Sequence, residues 1–358
     1  MIAERLAELV AIRSTADRPD ELDRALSFVL DQVGPGFAVR RFSSRGKPSA
    51  LVQAGTGPLR VILNAHLDVV PGSDEQFTAR RDGDRLYGRG TQDMKAAALV
   101  MAEVFRSTAT SLPYAVGLQL VTDEEVGGLD GTAHQIAEGV RAGFVVIGEH
   151  SGLRVTAESK GILQARLEAT GSAAHAAYPW LGENALLALT AGLDRLLARY
   201  PVPAAEAWTT TVNVARIETP NTAYNQIPAS AIALVDIRYP ADDEDLAGRT
   251  PEQVAGYLGA VTGLTVRVEA LGPPHRADPD GPDLTRLRAA LRSVGGPATF
   301  VRKHGAADSR HYHAVGIDTV ICGPTGDGQH GPREYVDLTS LVPYGKALSV
   351  FLRSLEPR

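Results

Sequence analysis

Three acids stand side by side in VTDEEVGG (121–128), where Asp123, Glu124 and Glu125 close an apolar run. Without counter-charge they repel one another, and burying any of them would cost several kcal/mol. Other segments carry groups of the same kind. NAHLDVVP places His66 and Asp68 at the end of LRVILNAH, Asp93 follows the glycine-bracketed GRGTQ, and Glu149 follows AGFVVIG with His150 beside it. Singly, each has an ordinary explanation: a surface His-x-Asp pair, an aspartate N-cap for Asp93, a solvated turn after a strand. Together they gather imidazole and carboxylate at the ends of successive apolar runs with no matching cationic side chains. A multivalent cation is the simplest neutraliser of such a set. Nitrogen and carboxylate ligands without thiolate suit zinc, with manganese or cobalt as substitutes. Two ions sharing a carboxylate would sit roughly 3.5–4 Å apart around a bridging hydroxide. A leftover carboxylate beside that oxygen would be a general base.

The elements that must position these groups follow from periodicity. LRVILNAH (59–66), YAVGLQLVTDEE (114–125) and AGFVVIGEH (142–150) read as strands buried on both faces. DMKAAALVMAEVFRS (93–107) and LDGTAHQIAEG read as the helices between them. This β-α-β-α-β alternation implies parallel strands in an α/β layer architecture, and ligands of such sheets collect beyond the strands' carboxyl ends. The middle of the chain changes character. GILQARLEATGS, ENALLALTAGLDRLLARY, TTTVNVARIE, SAIALVDIRYP, TPEQVAGYLGAVTG and LTVRVEAL read as β-α-β-β-α-β, a ferredoxin-like split unit. From about residue 276 helix and strand alternate again, ending in LTSLVPYGKALSVFLRSL. The expected fold is α/β, a discontinuous catalytic domain (1–160 and 272–358) with an inserted α+β domain (161–271).

Bulk properties narrow the function classes. At 358 residues the chain is long enough for two cores, and 44% hydrophobic with 22% charged residues is the composition of a globular protein. A net charge of −6 without a basic block argues against nucleic acid and anionic membrane as partners. The single cysteine, Cys322, excludes an intrachain disulfide and points to the cytoplasm. MIAERLAELVAIRST has the charge spacing of an amphipathic helix rather than of a signal peptide, and no run of 18 apolar residues occurs. GRGTQD lacks the third glycine of a dinucleotide fingerprint.

HLDVVPG, GRGTQDMK, VTDEEVGG, VIGEHSG and a late GQHGPREYVD, in this order, resemble the dinuclear zinc peptidase/deacylase family of aminoacylases, acetylornithine deacetylases, succinyl-diaminopimelate desuccinylases and glutamate carboxypeptidases. The resemblance runs from about residue 60 to 337 and implies a zinc-peptidase catalytic domain with a lid/dimerisation domain. It implies that Asp93 bridges two zinc ions, that His66 and Glu149 complete one site, and that Glu125 and His330 complete the other. By the same likeness Asp68 hydrogen-bonds His66 and Glu124 is the general base, later the acid. GSAAHAAYPWLGENA (171–185) is similar to the lid signature and implies that His175 stabilises the oxyanion, typically in the partner subunit of a homodimer. Asn225 and Arg238 match positions that handle a substrate carboxylate; the alternative for Arg238 is an outward strand residue.

One departure is His150, where many members of that family carry proline. Glutamate at 149 is typical of the deacylase and carboxypeptidase branches. The implied activity is hydrolysis of the amide of an N-acyl amino acid by a zinc-bound hydroxide, the alternative being a dipeptidase or carboxypeptidase acting on short peptides. Asp308, Ser309 and Arg310 either face the substrate or begin a helix.

Overall fold

LRVILNAH is a strand over Leu59–His66 with every residue buried, as a strand covered on both faces requires. It lies between two parallel neighbours, Ala115–Val121 and Val145–Ile147, so the alternating pattern does produce a parallel sheet. Thr319–Ile321 adds a further parallel strand beyond Val145–Ile147. On the other side the sheet turns antiparallel through Lys47–Ala54 and Ala38–Ser44. This N-terminal hairpin was outside the sequence reading: AVRRFSS is largely exposed and lacks an apolar stripe.

The computed structural model describes residues 2–357 of the chain, which divides into two units. The first is Met1–Glu158 with Arg276–Arg302 and Ala307–Arg358; the second is Ser159–His275 with Lys303–Ala306. Met1 and Arg358, the outer ends of the expected catalytic domain, lie outside the described residues. Within the first unit the helix Ala96–Thr108 is buried along most of its length, its small alanines permitting close approach to the sheet. The helix Leu341–Ser354 crosses it at Gly345, where a Cβ would stand 3.2 Å from Val100 Cγ1.

A second, small antiparallel sheet in this unit matters more for function. Its order is Gly326–Asp327, Tyr335–Asp337, Arg85–Tyr87, Arg80–Asp82. Tyr335 pairs with Tyr87, Val336 with Leu86 and Asp337 with Arg85. The late GQHGPREYVD hairpin is thereby fastened to the strand just before GRGTQD, which carries His330 toward Asp93.

In the second unit four antiparallel strands are ordered Thr211–Glu218, Ser230–Tyr239, Gly161–Thr170, Thr265–Gly272, the ferredoxin-like arrangement expected from the sequence. Ser230–Tyr239 alternates between buried and half-buried residues, so one face meets the helices and the other does not. Those helices start where the sequence marks them. Asn184 caps Ala185–Arg199, accepting from the amides of Leu186 and Leu187, and Thr250 forms a capping box with Gln253 at Pro251–Thr262. Among the described residues no helix is long and apolar enough to cross a membrane.

Candidate metal centre

The strand Leu59–His66 delivers a buried imidazole at its carboxyl end, followed by the fully buried Asp68. His66 Nδ1 lies 3.1 Å from the Asp68 carbonyl oxygen and 3.5 Å from its carboxylate Oδ1. A carbonyl can only accept, so Nδ1 carries a proton and Nε2 faces the centre. The Asp68 carboxylate also accepts from the backbone amides of Glu124, at 3.2 Å, and Glu125, at 2.9 Å. One buried residue therefore orients His66, chiefly through its backbone carbonyl, and pins the acidic turn through its carboxylate.

That turn answers the problem of three adjacent acids by sending each to a different place. Asp123 points inward and its Oδ2 accepts from Asp130 N–H at 2.6 Å; burial, reinforced by the Asp308 charge, pushes its pKa up to about 7. Glu124 converges with His66 and Glu149, and Glu125 converges with Asp93 and His330; within each trio the oxygen and nitrogen atoms lie within 4.8 Å of one another. Burial pushes Glu124 up to about 8, against the pull of the His66 charge.

Asp93 joins the two trios. Its Oδ1 is 2.9 Å from His66 Nε2 and its Oδ2 is 3.3 Å from His330 Nε2. The capping role open to an isolated aspartate is not the one it plays. The helix begins at Ala96, and Asp93 lies in the preceding Thr91–Lys95 turn with non-helical angles of φ −121° and ψ 93°. Gly90, at φ 79°, makes that turn possible: a Cβ there would stand 2.6 Å from Val69 Cγ1. His330 is itself left-handed, at φ 60°, uncommon for a residue with a Cβ, and its Nε2 is 3.1 Å from Glu125 Oε2.

The donor set fits divalent cations. Six side chains converge in the two trios with only oxygen and nitrogen donors, and both imidazoles are driven toward protonation. Burial opposes charge on His66, but the Asp68 and Asp93 carboxylates outweigh it and hold the pKa well above its usual value. Contacts with Asp93 and Glu125 raise His330 to about 10. Two protons here do a neutralising job that cations do equally well.

The remaining expected residues have surroundings of their own. His175 and Asn225 meet in the second unit: the His175 loop bridges to Gln226, and Ala176 N–H donates to Asn225 O at 2.8 Å. The exposed His175 accepts from Ala177 N–H through Nδ1 at 3.1 Å. Arg238 forms a bidentate pair with Asp236 of its own strand, at 2.6 and 3.0 Å. Asp308 and Ser309 are buried at the start of a short helix, Thr132 Oγ1 donating to Asp308 Oδ2. Arg310 reaches Gly127 O at 2.6 Å, just past the acidic turn. Burial lowers the pKa of His150, whose Nδ1 is buried and unpartnered. Sequence reasoning missed Gln329, whose amide donates to Asp93 Oδ2. Its place beside His330 is the only linear signal it has.

Comparison with known proteins gives the same picture. The profile of peptidase family M20/M25/M40 matches residues 62–354. A probable carboxypeptidase of Aspergillus terreus is 37% identical over 292 residues, which is 72% of this chain and 65% of that protein, just under two thirds of its length. The succinyl-diaminopimelate desuccinylase of Bordetella parapertussis is 27% identical over 386 residues, 99% of this chain and 97% of that one. An M20 metallo-carboxypeptidase structure from Sulfolobus solfataricus superposes with a TM-score of 0.80 at 17% identity, over 99% of this chain and 98% of its own.

Proposed function

The chain belongs to peptidase family M20/M25/M40 and is a hydrolase of amide bonds, and on that premise we propose that it deacylates N-acyl amino acids at a centre of two zinc ions. His66, Glu149 and Asp93 would hold one ion, and Glu125, His330 and Asp93 the other, with manganese or cobalt able to substitute. The observation that carries this is Asp93, one carboxylate in contact with an imidazole from each trio. Bound there, the ions would polarise the scissile carbonyl and make water nucleophilic near neutral pH.

The proposed roles of the side chains follow from their surroundings. Glu124 shares a trio with His66 and Glu149, and its raised pKa suits a group that takes a proton from water and returns it to the leaving amine. Asp68 keeps His66 in the tautomer that presents Nε2. His175 spends Nδ1 as an acceptor, which in the neutral ring leaves the proton on Nε2 to stabilise an oxyanion. Arg238 and Asn225 would bind the substrate carboxylate, Arg238 exchanging its Asp236 partner for the substrate.

In this reading 1–160 and 272–358 form the catalytic domain and 161–271 the lid. A homodimer through the lid is supported by the exposed Tyr178, Trp180, Leu181 and Leu187 of the second unit. The net charge supports a small-molecule substrate rather than nucleic acid or membrane, and the lone buried Cys322 supports the cytoplasm. Desuccinylase relatives matched over nearly the whole chain support deacylation. The higher identity to a probable carboxypeptidase favours cleavage of short peptides as the second reading.

A panel of N-succinyl and N-acetyl amino acids beside C-terminally unblocked dipeptides, with zinc added, separates the two. Faster turnover of the acylated amino acids is expected. Cleavage of peptides alone would transfer the assignment to the second reading, and hydrolysis of neither would overturn both.

A further inference from the structure

We propose that the buried Arg89–Glu334 ion pair is a positioning device for the two-ion centre, holding the backbones of Asp93 and His330 in ligating arrangement before an ion arrives. The inference rests on the assignment of those two residues as ligands. Arg89 and Glu334 are 3% and 2% exposed, with Arg89 Nη1 2.6 Å from Glu334 Oε2. Arg89 Nη2 makes a long contact with Pro71 O at 3.5 Å, and further hydrogen bonds of the two head groups end on the ligand-bearing segments. Glu334 Oε1 accepts from the amides of Gln92, at 3.1 Å, and of Asp93 itself, at 3.2 Å. Arg89 Nη2 donates to the carbonyl of His330 at 3.1 Å, across 241 positions of sequence. A single pair thus grips the amide of one ligand and the carbonyl of another.

Each segment has local ties of its own, Lys95 N–H donating to Gly90 O at 2.9 Å and Gly331 N–H to Gly328 O at 2.8 Å, and the ion pair adds a buried link between the two backbones. The Asp93 turn lies outside the helix that follows, and His330 is in a loop with left-handed backbone and nearly half its side chain exposed. Gln76 adds one further tie, its amide donating to Gly331 O at 2.9 Å. A buried ion pair is a weak source of stability in itself, since desolvation cancels much of its attraction. What it supplies well is direction: a rigid guanidinium fork and a carboxylate with fixed lone pairs set two backbones at once. Ligands fixed in advance lose less entropy when the ion binds.

The test uses the chelated full-length protein titrated with zinc against a competing chelator, with melting temperature followed in both forms. Arg89→Lys keeps the charge but cannot reach Glu334 and the His330 carbonyl together; Glu334→Gln keeps the shape and serves if Arg89→Lys does not accumulate. Either variant should bind the weaker zinc at least tenfold less tightly and lose at least half of the zinc-induced rise in melting temperature. Arg60→Lys, which weakens the buried Arg60–Asp283 pair of the same unit, should lower both melting temperatures equally and leave zinc affinity alone. Wild-type zinc affinity in Arg89→Lys and Glu334→Gln, or an equal loss in Arg60→Lys, overturns the proposal. Failure of the wild-type protein itself to bind zinc would instead refute the ligand assignment beneath it.

Discussion

His66 Nε2 stands 2.9 Å from Asp93 Oδ1, and that contact would make the proposed centre a competition between protons and metal. With the second oxygen of Asp93 beside His330, one carboxylate raises the pKa of two imidazoles. Imidazoles ligate only when neutral, so each ion must displace a proton. Adding zinc to chelated protein near pH 7 should release about two protons per chain, and affinity should rise with pH. Calorimetry in buffers of differing ionisation enthalpy measures the count; a release near zero would mean that the imidazoles are not ligands.

If Glu124 is the proton carrier proposed, Glu124→Gln should lower kcat by roughly 10²–10⁴ while both ions stay bound. Elemental analysis beside the rate decides the matter. Loss of one ion would make Glu124 a ligand of the His66–Glu149 trio instead.

Much of this was legible in linear form because local chemistry dictated it. LRVILNAH had to be a buried strand, so His66 had to lie at its carboxyl end. Asn184 and Thr250 cap the two helices whose periodicity is plain in the sequence. Asp93 was visible as a residue but not in its geometry: before an alanine-rich helix an aspartate looks like a cap, whereas here it sits in a non-helical turn after the left-handed Gly90, its amide held by the distant Glu334. His330 was beyond any spacing argument, because the short hairpin pairing Tyr335 with Tyr87 brings it to the site. Arg89 and Glu334 gave no sign of being buried, since charged residues amid glycines usually mean surface.

Asp123 offers a test of the acidic turn that needs no substrate. Its pKa rises from 3.8 unfolded to about 7 folded, chiefly through burial. Below about pH 4 both states are protonated and the residue costs nothing. Between about 4 and 7 the folded state holds the extra proton, so stability falls as pH rises, and above 7 the full cost persists. Asp123→Asn should therefore melt with the wild type at pH 4 and several degrees above it at pH 8, both proteins chelated. A difference independent of pH would show that the carboxylate is not the strained group.

Arg238 is neutralised by Asp236 as it stands, so the proposed service to a substrate carboxylate would be an exchange of partners and would contribute to binding alone. Arg238→Ala should raise KM about tenfold for substrates with a free carboxylate and leave kcat nearly unchanged, as loss of uniform binding does. Substrates amidated at that position should not distinguish the variant from wild type. If they do, the arginine acts through the strand rather than through the substrate.

His175 carries the sharpest electronic expectation, because one hydrogen bond sets its tautomer. Ala177 N–H donates to Nδ1, which leaves Nε2 as the only ring donor of a neutral imidazole. A donor used only once the carbonyl has become an oxyanion affects kcat rather than ground-state binding, and removing one costs about 10²–10³ in rate. His175→Ala should show that loss with zinc content and KM unaltered. His175→Gln, whose amide nitrogen can approach the position of Nε2, should recover part of it, whereas His175→Asn, which reaches only as far as Nδ1, should not. Equal activity in the glutamine and asparagine variants would mean that the ring fills space in the loop beside Tyr178 and donates to nothing in the reaction.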